Sequence, residues 1–92
     1  MHRRIAVRLC IEGVLAEAHF VDWIVARARL LSLSGLVQRL SQTRIDVTVC
    51  GPEAMVDAME IACSLGPGSV LVERIKREEP GEQPSETGFS IL

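Results

Sequence analysis

Twice along this chain the apolar residues switch from every second position to every third or fourth and back. That double switch restricts the fold more than any single motif does. Ile5, Val7, Leu9 and Ile11 alternate with Arg4, Ala6, Arg8, Cys10 and Glu12, the period of a half-buried strand. From Phe20 to Leu33 the pattern turns helical: Phe20, Ile24, Ala28 and Leu31 recur on one side, with Trp23, Arg27 and Leu30 alongside. Asp22 near its start and Arg27 and Arg29 toward its end suit the helix dipole, and Gly35 in "SLSG" is the expected stop. "LVQRL" (36–40) reads as a short strand and "SQT" as a longer than minimal hairpin turn. "RIDVTVC" (44–50) follows as a strand with Ile45, Val47 and Val49 on one face.

Gly51-Pro52 opens a second helix with Pro52 and Glu53 in its first turn. Met55, Val56, Met59, Ala62 and Cys63 form its apolar stripe, and Asp57, Glu60 and Ser64 its wet side. "GPG" (66–68) ends it, "SVLVERIKR" (69–77) supplies a fourth strand, and "FSIL" (89–92) a short fifth. The acidic, Pro- and Gly-rich "EEPGEQPSETG" (78–88) between them reads as a mobile surface loop. The order β-α-β-β-α-β plus a closing strand predicts an α+β, ferredoxin-like sandwich: a mainly antiparallel sheet with two helices on one face. Residues 1–92 form a single domain, with no internal repeat or linker.

Composition removes several function classes. Ninety-two residues give one modest core, and with only Trp23, Phe20 and Phe89 as aromatics that core must be aliphatic. A net charge of −2 and the lack of a stacking platform argue against a nucleic-acid binder. Arg8 and Glu12 interrupt the first apolar run, so it fails as a signal segment or membrane span, and a cytoplasmic protein is expected. Cys10, Cys50 and Cys63 are odd in number and widely spaced, which suits small core hydrophobes in a reducing compartment. They are too scattered, even with His2 and His19, to propose a metal site, and no cofactor is expected.

"GVLAEAHFV" (13–21) joins the first strand to the first helix, where unpaired backbone N–H groups make a natural anion cradle. Yet it contains no Lys or Arg, and Glu17 sits in its middle. His19, Glu17, Asp22 and Arg39 are the polar residues available around it. His19 as a general base or Glu17 as a nucleophile is the sharp reading. A solvated loop in which Glu17 pairs with a nearby Arg is the plain one.

In this order and spacing the chain resembles the acylphosphatase family over nearly its whole length. "RLCIEG" resembles the family's first strand and loop start, and "FVDWIVARARLLSLSGLVQRL" its first helix, with the A-R-x-L-x-L-x-G ending, and next strand. "IDVTVCGPEAMVDAMEIACSLGPGSVLVERI" resembles the third strand, second helix and fourth strand, and "TGFSIL" the closing strand. The resemblance implies a five-stranded sheet under two helices and metal-free hydrolysis of the carboxyl–phosphate mixed anhydride of an acyl phosphate. The family loop reads approximately G-x-V-Q-G-V-x-F-R, whose Arg and amides hold the phosphate, while an Asn from the second-strand segment G-W-V-R-N positions water.

Of that loop Gly13 and Phe20 are kept, Glu17 stands at its second Gly and Val21 at the catalytic Arg. "GLVQR" puts Arg39 at the Asn. Val21 has no fork of donors, Glu17 repels an arriving dianion, and a missing oxyanion donor alone costs roughly 2.7–4 kcal/mol. Glu17 also gives up conformational freedom if its position requires positive φ.

The resemblance and these departures together imply a catalytically degenerate domain that works by binding, as an interaction module or weak small-anion binder. The alternative is an acyl phosphate hydrolase, residual or rewired around His19, Glu17 or Arg39. Gly13, Glu17, His19, Phe20 and Arg39 are the candidate pocket residues, with Val21 and Arg39 at the family's catalytic positions. Arg39 reaching from its strand toward the loop is one route to a replacement cation, from the wrong direction and without restoring water positioning; a surface strand arginine is the plainer reading. Ile24, Val25, Ala26, Leu30 and Leu31 make the first helix apolar beyond one stripe, so self-association or a protein partner through 20–33 is a further expectation. Trp23 suits helix-to-sheet packing better than an interface, and Met55 and Met59 suit the core.

Overall fold

The computed structural model describes residues 3–81 and 88–92. Seven elements follow one another: β1 (Arg4–Val14), α1 (Phe20–Leu30), β2 (Ser34–Ser41), β3 (Arg44–Pro52), α2 (Glu53–Leu65), β4 (Leu71–Glu78) and β5 (Phe89–Ile91). They build one sheet in the order β4-β1-β3-β2-β5, antiparallel throughout except for the parallel β2–β5 pair. This is the ferredoxin-like sandwich that the double switch in period predicts.

Register explains which face carries the core. Leu9 pairs with Val47, Ile11 with Ile45, and Val37 with Val47, so alternate residues of three strands share one face. Phe20, Ile24 and Ala28 of α1 and Val56, Met59 and Cys63 of α2 close over that face, all fully buried. The opposite face is polar and holds ion pairs between neighbouring strands, Arg8–Glu78 at 2.8 Å and Glu12–Arg74 at 2.7 Å. Cys10 points to that face and is nonetheless buried; burial, then the Asp46 carboxylate, raise its thiol above the usual range.

Four local expectations are corrected. Helix α1 ends at Leu30 rather than Leu33, and its stop is Ser32 rather than Gly35. Ser32 takes φ 57°, its N–H bonds to Arg29 O at 3.0 Å, and the Leu33 N–H to Ala28 O at 2.9 Å. That bond pair is a Schellman close, usually built on glycine. Gly35 lies inside β2 for a different reason: a Cβ there would sit 1.9 Å from Thr48 O.

The hairpin turn is only Gln42–Thr43, because Ser41 pairs with Arg44; a register shift between Arg39 and Ser41 absorbs the residue that makes the sequence look longer. Pro52 ends β3 and caps α2 from outside, with ψ 138°, instead of occupying its first turn. Strand β1 continues through Gly13 and Val14 across a bulge after Glu12, so the connecting loop proper is 15–19. Of the expected surface loop at 78–88, residues 82–87 lie outside the described residues.

The breadth of apolar surface on α1 is mostly spent inside the chain. Val25 is 7% exposed and Ile24 fully buried, leaving Leu30, 73% exposed, as the large side chain outside. Among the described residues no helix is long and apolar enough to cross a membrane.

Candidate functional site

The 15–19 loop is anchored at both ends. Gly13 and Leu15 donate N–H bonds to Thr43 O and Gln42 O, each at 3.1 Å, tying the loop to the β2–β3 turn. At the far end Trp23 N–H bonds to His19 O at 2.9 Å, the first turn of α1. Among the described residues, the amides of Ala16, Glu17 and Ala18 between these anchors have no protein acceptor. A strand end and a helix start fixed this way keep donors available without further ordering cost.

Among the described residues Glu17 does not pair with an arginine. Its Oε2 accepts the His19 backbone N–H at 3.1 Å, and its own carbonyl accepts from Phe20 N–H at 3.2 Å. The carboxylate therefore sits on one of the loop's own amides, as an anion already in the cradle. No strain accompanies it, since Ser32 is the only non-glycine at positive φ among the described residues. The expected conformational penalty for losing glycine at 17 is absent.

Arg39 does reach the loop. Its pairing with Ile45 puts it on the helix-covered face of the sheet, at the end of β2. Its Nη2 donates to Leu15 O at 2.9 Å and its Nη1 to Ser41 O at 3.2 Å. A guanidinium has five N–H donors, so three stay free. The side chain is a surface strand arginine and a cation at the loop at once.

The remaining candidates divide. Glu17 and His19 line a hollow of about 350 Å3 together with Trp23, Pro67, Gly68 and Ser69. Gly13 faces a different hollow, with Ser41, Thr43 and Arg44. Phe20 is fully buried and serves the core, and Val21 is half-buried against it. Sequence reasoning missed Pro67, Gly68 and Ser69, which read only as a helix stop; nothing in one sequence signals that the α2–β4 connection flanks the β1–α1 loop. Among the described residues no His, Cys, Asp and Glu side chains gather as a metal-binding group.

The acylphosphatase family model matches residues 7–91. The chain belongs to the acylphosphatase family. An acylphosphatase of Rhodospirillum rubrum is 36% identical to it over 80 residues, 87% of each chain. One of Acidiphilium cryptum is 35% identical over 85 residues, 92% of each. A solved structure of an acylphosphatase from Coxiella burnetii superposes with a TM-score of 0.87 at 19% identity, covering 97% of this chain and 93% of that one. As an acylphosphatase-family domain, the chain carries the family's loop between β1 and α1, with Val21 and Arg39 where the resemblance sets the family's Arg and Asn.

Proposed function

We propose that this chain hydrolyses acyl phosphates through a reworked site, in which Arg39 supplies from β2 the positive charge that Val21 cannot. The observation that carries the reading is the Arg39–Leu15 hydrogen bond at 2.9 Å, which holds a guanidinium with free donors against the loop. Curated relatives at 35–36% identity named acylphosphatase support the same reaction class. In that reaction water adds to phosphorus and the bond from phosphorus to the acyl oxygen breaks. A carboxylate and inorganic phosphate leave, with one proton released to solvent. Arg39 and the amides of Ala16–Ala18 would hold the phosphoryl oxygens as charge builds on them.

Glu17 and Val21 favour a second reading, a domain that binds without turnover, with a small anion at the loop or a protein partner at α1 around Leu30. Acetyl phosphate hydrolysis separates the two. The hydrolase reading expects turnover above the uncatalysed rate, falling on the order of 100-fold in Arg39→Ala. It expects less turnover than a family site with Arg at the Val21 position, and a gain in Val21→Arg. No turnover in the parent chain, with turnover appearing only in a Val21→Arg/Arg39→Asn double variant, would overturn it in favour of the binding module.

A further inference from the structure

The Schellman close at the end of α1 needs a left-handed residue, and the chain puts serine where glycine would be relaxed. Ser32, at φ 57°, is the only non-glycine at positive φ among the described residues. It is exposed and lines a third hollow, of about 260 Å3, with Arg4, Arg29, Ser34 and the buried Leu33 and Phe89. That hollow lies where β1 starts and α1 ends. The β1–α1 loop lies at the opposite ends of both elements, roughly 30 Å away along β1.

The chemistry of this hollow favours negative charge. Two arginines line it and, among the described residues, no carboxylate does. Arg29 is held in place by one Nη2 bond to Phe89 O at 3.1 Å, which leaves four of its five N–H donors. Arg4 joins no ion pair among the described residues. Ser34 is buried, and its Oγ donates to Cys50 O at 3.4 Å, a bond long enough to be exchanged for a stronger one to an anion. The helix carbonyls that oppose an anion are already in use: Arg27 O, Ala28 O and Arg29 O accept from the N–H groups of Leu31, Leu33 and Ser32. Two full positive charges outweigh what is left of the helix's roughly half negative charge.

We infer that this hollow is an anion site separate from the loop, and that its ligand is a phosphate group, free or carried as the ester of a small molecule. Two guanidinium forks with two hydroxyls suit an oxyanion with three terminal oxygens better than a carboxylate with two. The hollow is larger than a phosphate group alone requires, which leaves space for an ester substituent. Ser32 ties the site to the backbone outlier: glycine in its place relaxes the chain but removes a hydroxyl from the hollow. The inference goes beyond the hydrolase reading and does not rest on it.

The test is titration of the isotope-labelled chain with inorganic phosphate and with glycerol phosphate, read from backbone amide shifts. Binding at the hollow moves the Ser32, Ser34 and Phe89 amides along one saturating curve, distinct from any shift of Ala16–Ala18 at the loop. Arg29→Gln weakens that curve about tenfold and leaves the loop amides as they were. Arg4→Gln, at the exposed start of β1, does the same without touching the Phe89 contact. Ser32→Gly weakens it about fivefold while the thermal midpoint rises. A merely structural serine would give the second change without the first.

Tighter binding of the ester upholds the site as one for a phosphorylated small molecule, and equal binding upholds it as one for free phosphate. Hollow amides that stay still up to about 10 mM of either probe overturn the site, as does a curve that neither arginine variant weakens. Acetate binding as tightly as phosphate overturns the phosphate assignment in favour of a carboxylate. A Ser32→Gly chain that binds like the parent overturns the part given to Ser32. None of these outcomes depends on whether acetyl phosphate is hydrolysed.

Discussion

Replacing Glu17 should strengthen anion binding at the loop, and two substitutions separate the causes. In Glu17→Gln the side chain keeps an oxygen for the His19 amide, now accepted at 3.1 Å, but loses its charge. A phosphate dianion bound about 5 Å from that carboxylate, at an effective dielectric of about 40–80, is repelled by roughly 1.5–3 kcal/mol. The Gln variant is therefore expected to bind inorganic phosphate on the order of 10- to 100-fold tighter at low salt, with the gain shrinking at about 0.5 M salt. Glu17→Gly also frees the His19 N–H for the ligand, worth about another 1 kcal/mol. Because φ at Glu17 is not positive, glycine there costs stability by about 0.5–1 kcal/mol. Calorimetry, with the His19 amide shift as a local reporter, reads both steps. A Gln variant that binds phosphate within twofold of the parent at low salt would show that the carboxylate is not competing for the cradle.

Two further outcomes test the frame around the site. Ser32→Gly should raise stability by about 0.5–1 kcal/mol, because glycine relieves a left-handed residue at φ 57° at some entropic cost. The thermal midpoint then rises by about 3–6 °C, and an unchanged or lower midpoint refutes the Schellman assignment. Burial, with Glu60 adding to it and Arg27 opposing, pushes the Cys63 thiol from 9.0 up to about 12. The unfolded chain loses that proton first, so this contribution is intact below pH 9 and declines by about 1.4 kcal/mol per unit until about pH 12. Denaturant melts between pH 8 and 11 should show the decline in the parent chain and a flatter profile in Cys63→Ala.

Arg39 shows how a site can change without the fold changing. In β2 every second residue faces the helices, so Val37 enters the core and Arg39, two places on, emerges at the rim beside the loop. A long cationic side chain at that place donates to the Leu15 carbonyl and, through its other terminal nitrogen, to that of Ser41. A shorter amide there would leave the charge out, and Val21, half-buried against the core, cannot put it back.

The architecture is legible in the chain's own periodicity. Alternation in β1 and β3 and helical spacing in α1 and α2 assign each element to one face, because a side chain's direction depends on its own position along the backbone. The same local logic marks the β1–α1 loop as an anion cradle, and the resemblance to the acylphosphatases supplies the substitutions at Val21, Glu17 and Arg39. What those residues touch follows instead from packing between distant segments. A long-range register brings Arg39 within 2.9 Å of Leu15 O, and the end of α2 comes beside the loop to complete the hollow with Pro67, Gly68 and Ser69. Glu17 turned to the His19 amide two residues away rather than to any arginine. Helix ends and turns depart from what spacing predicts for a related reason. Ser32 accepts a glycine's conformation because Leu33 beyond it is buried, and Gly35 is required by the approach of Thr48 from another strand. Spacing along a chain encodes direction, whereas contact depends on which distant segment arrives, and only packing sets that.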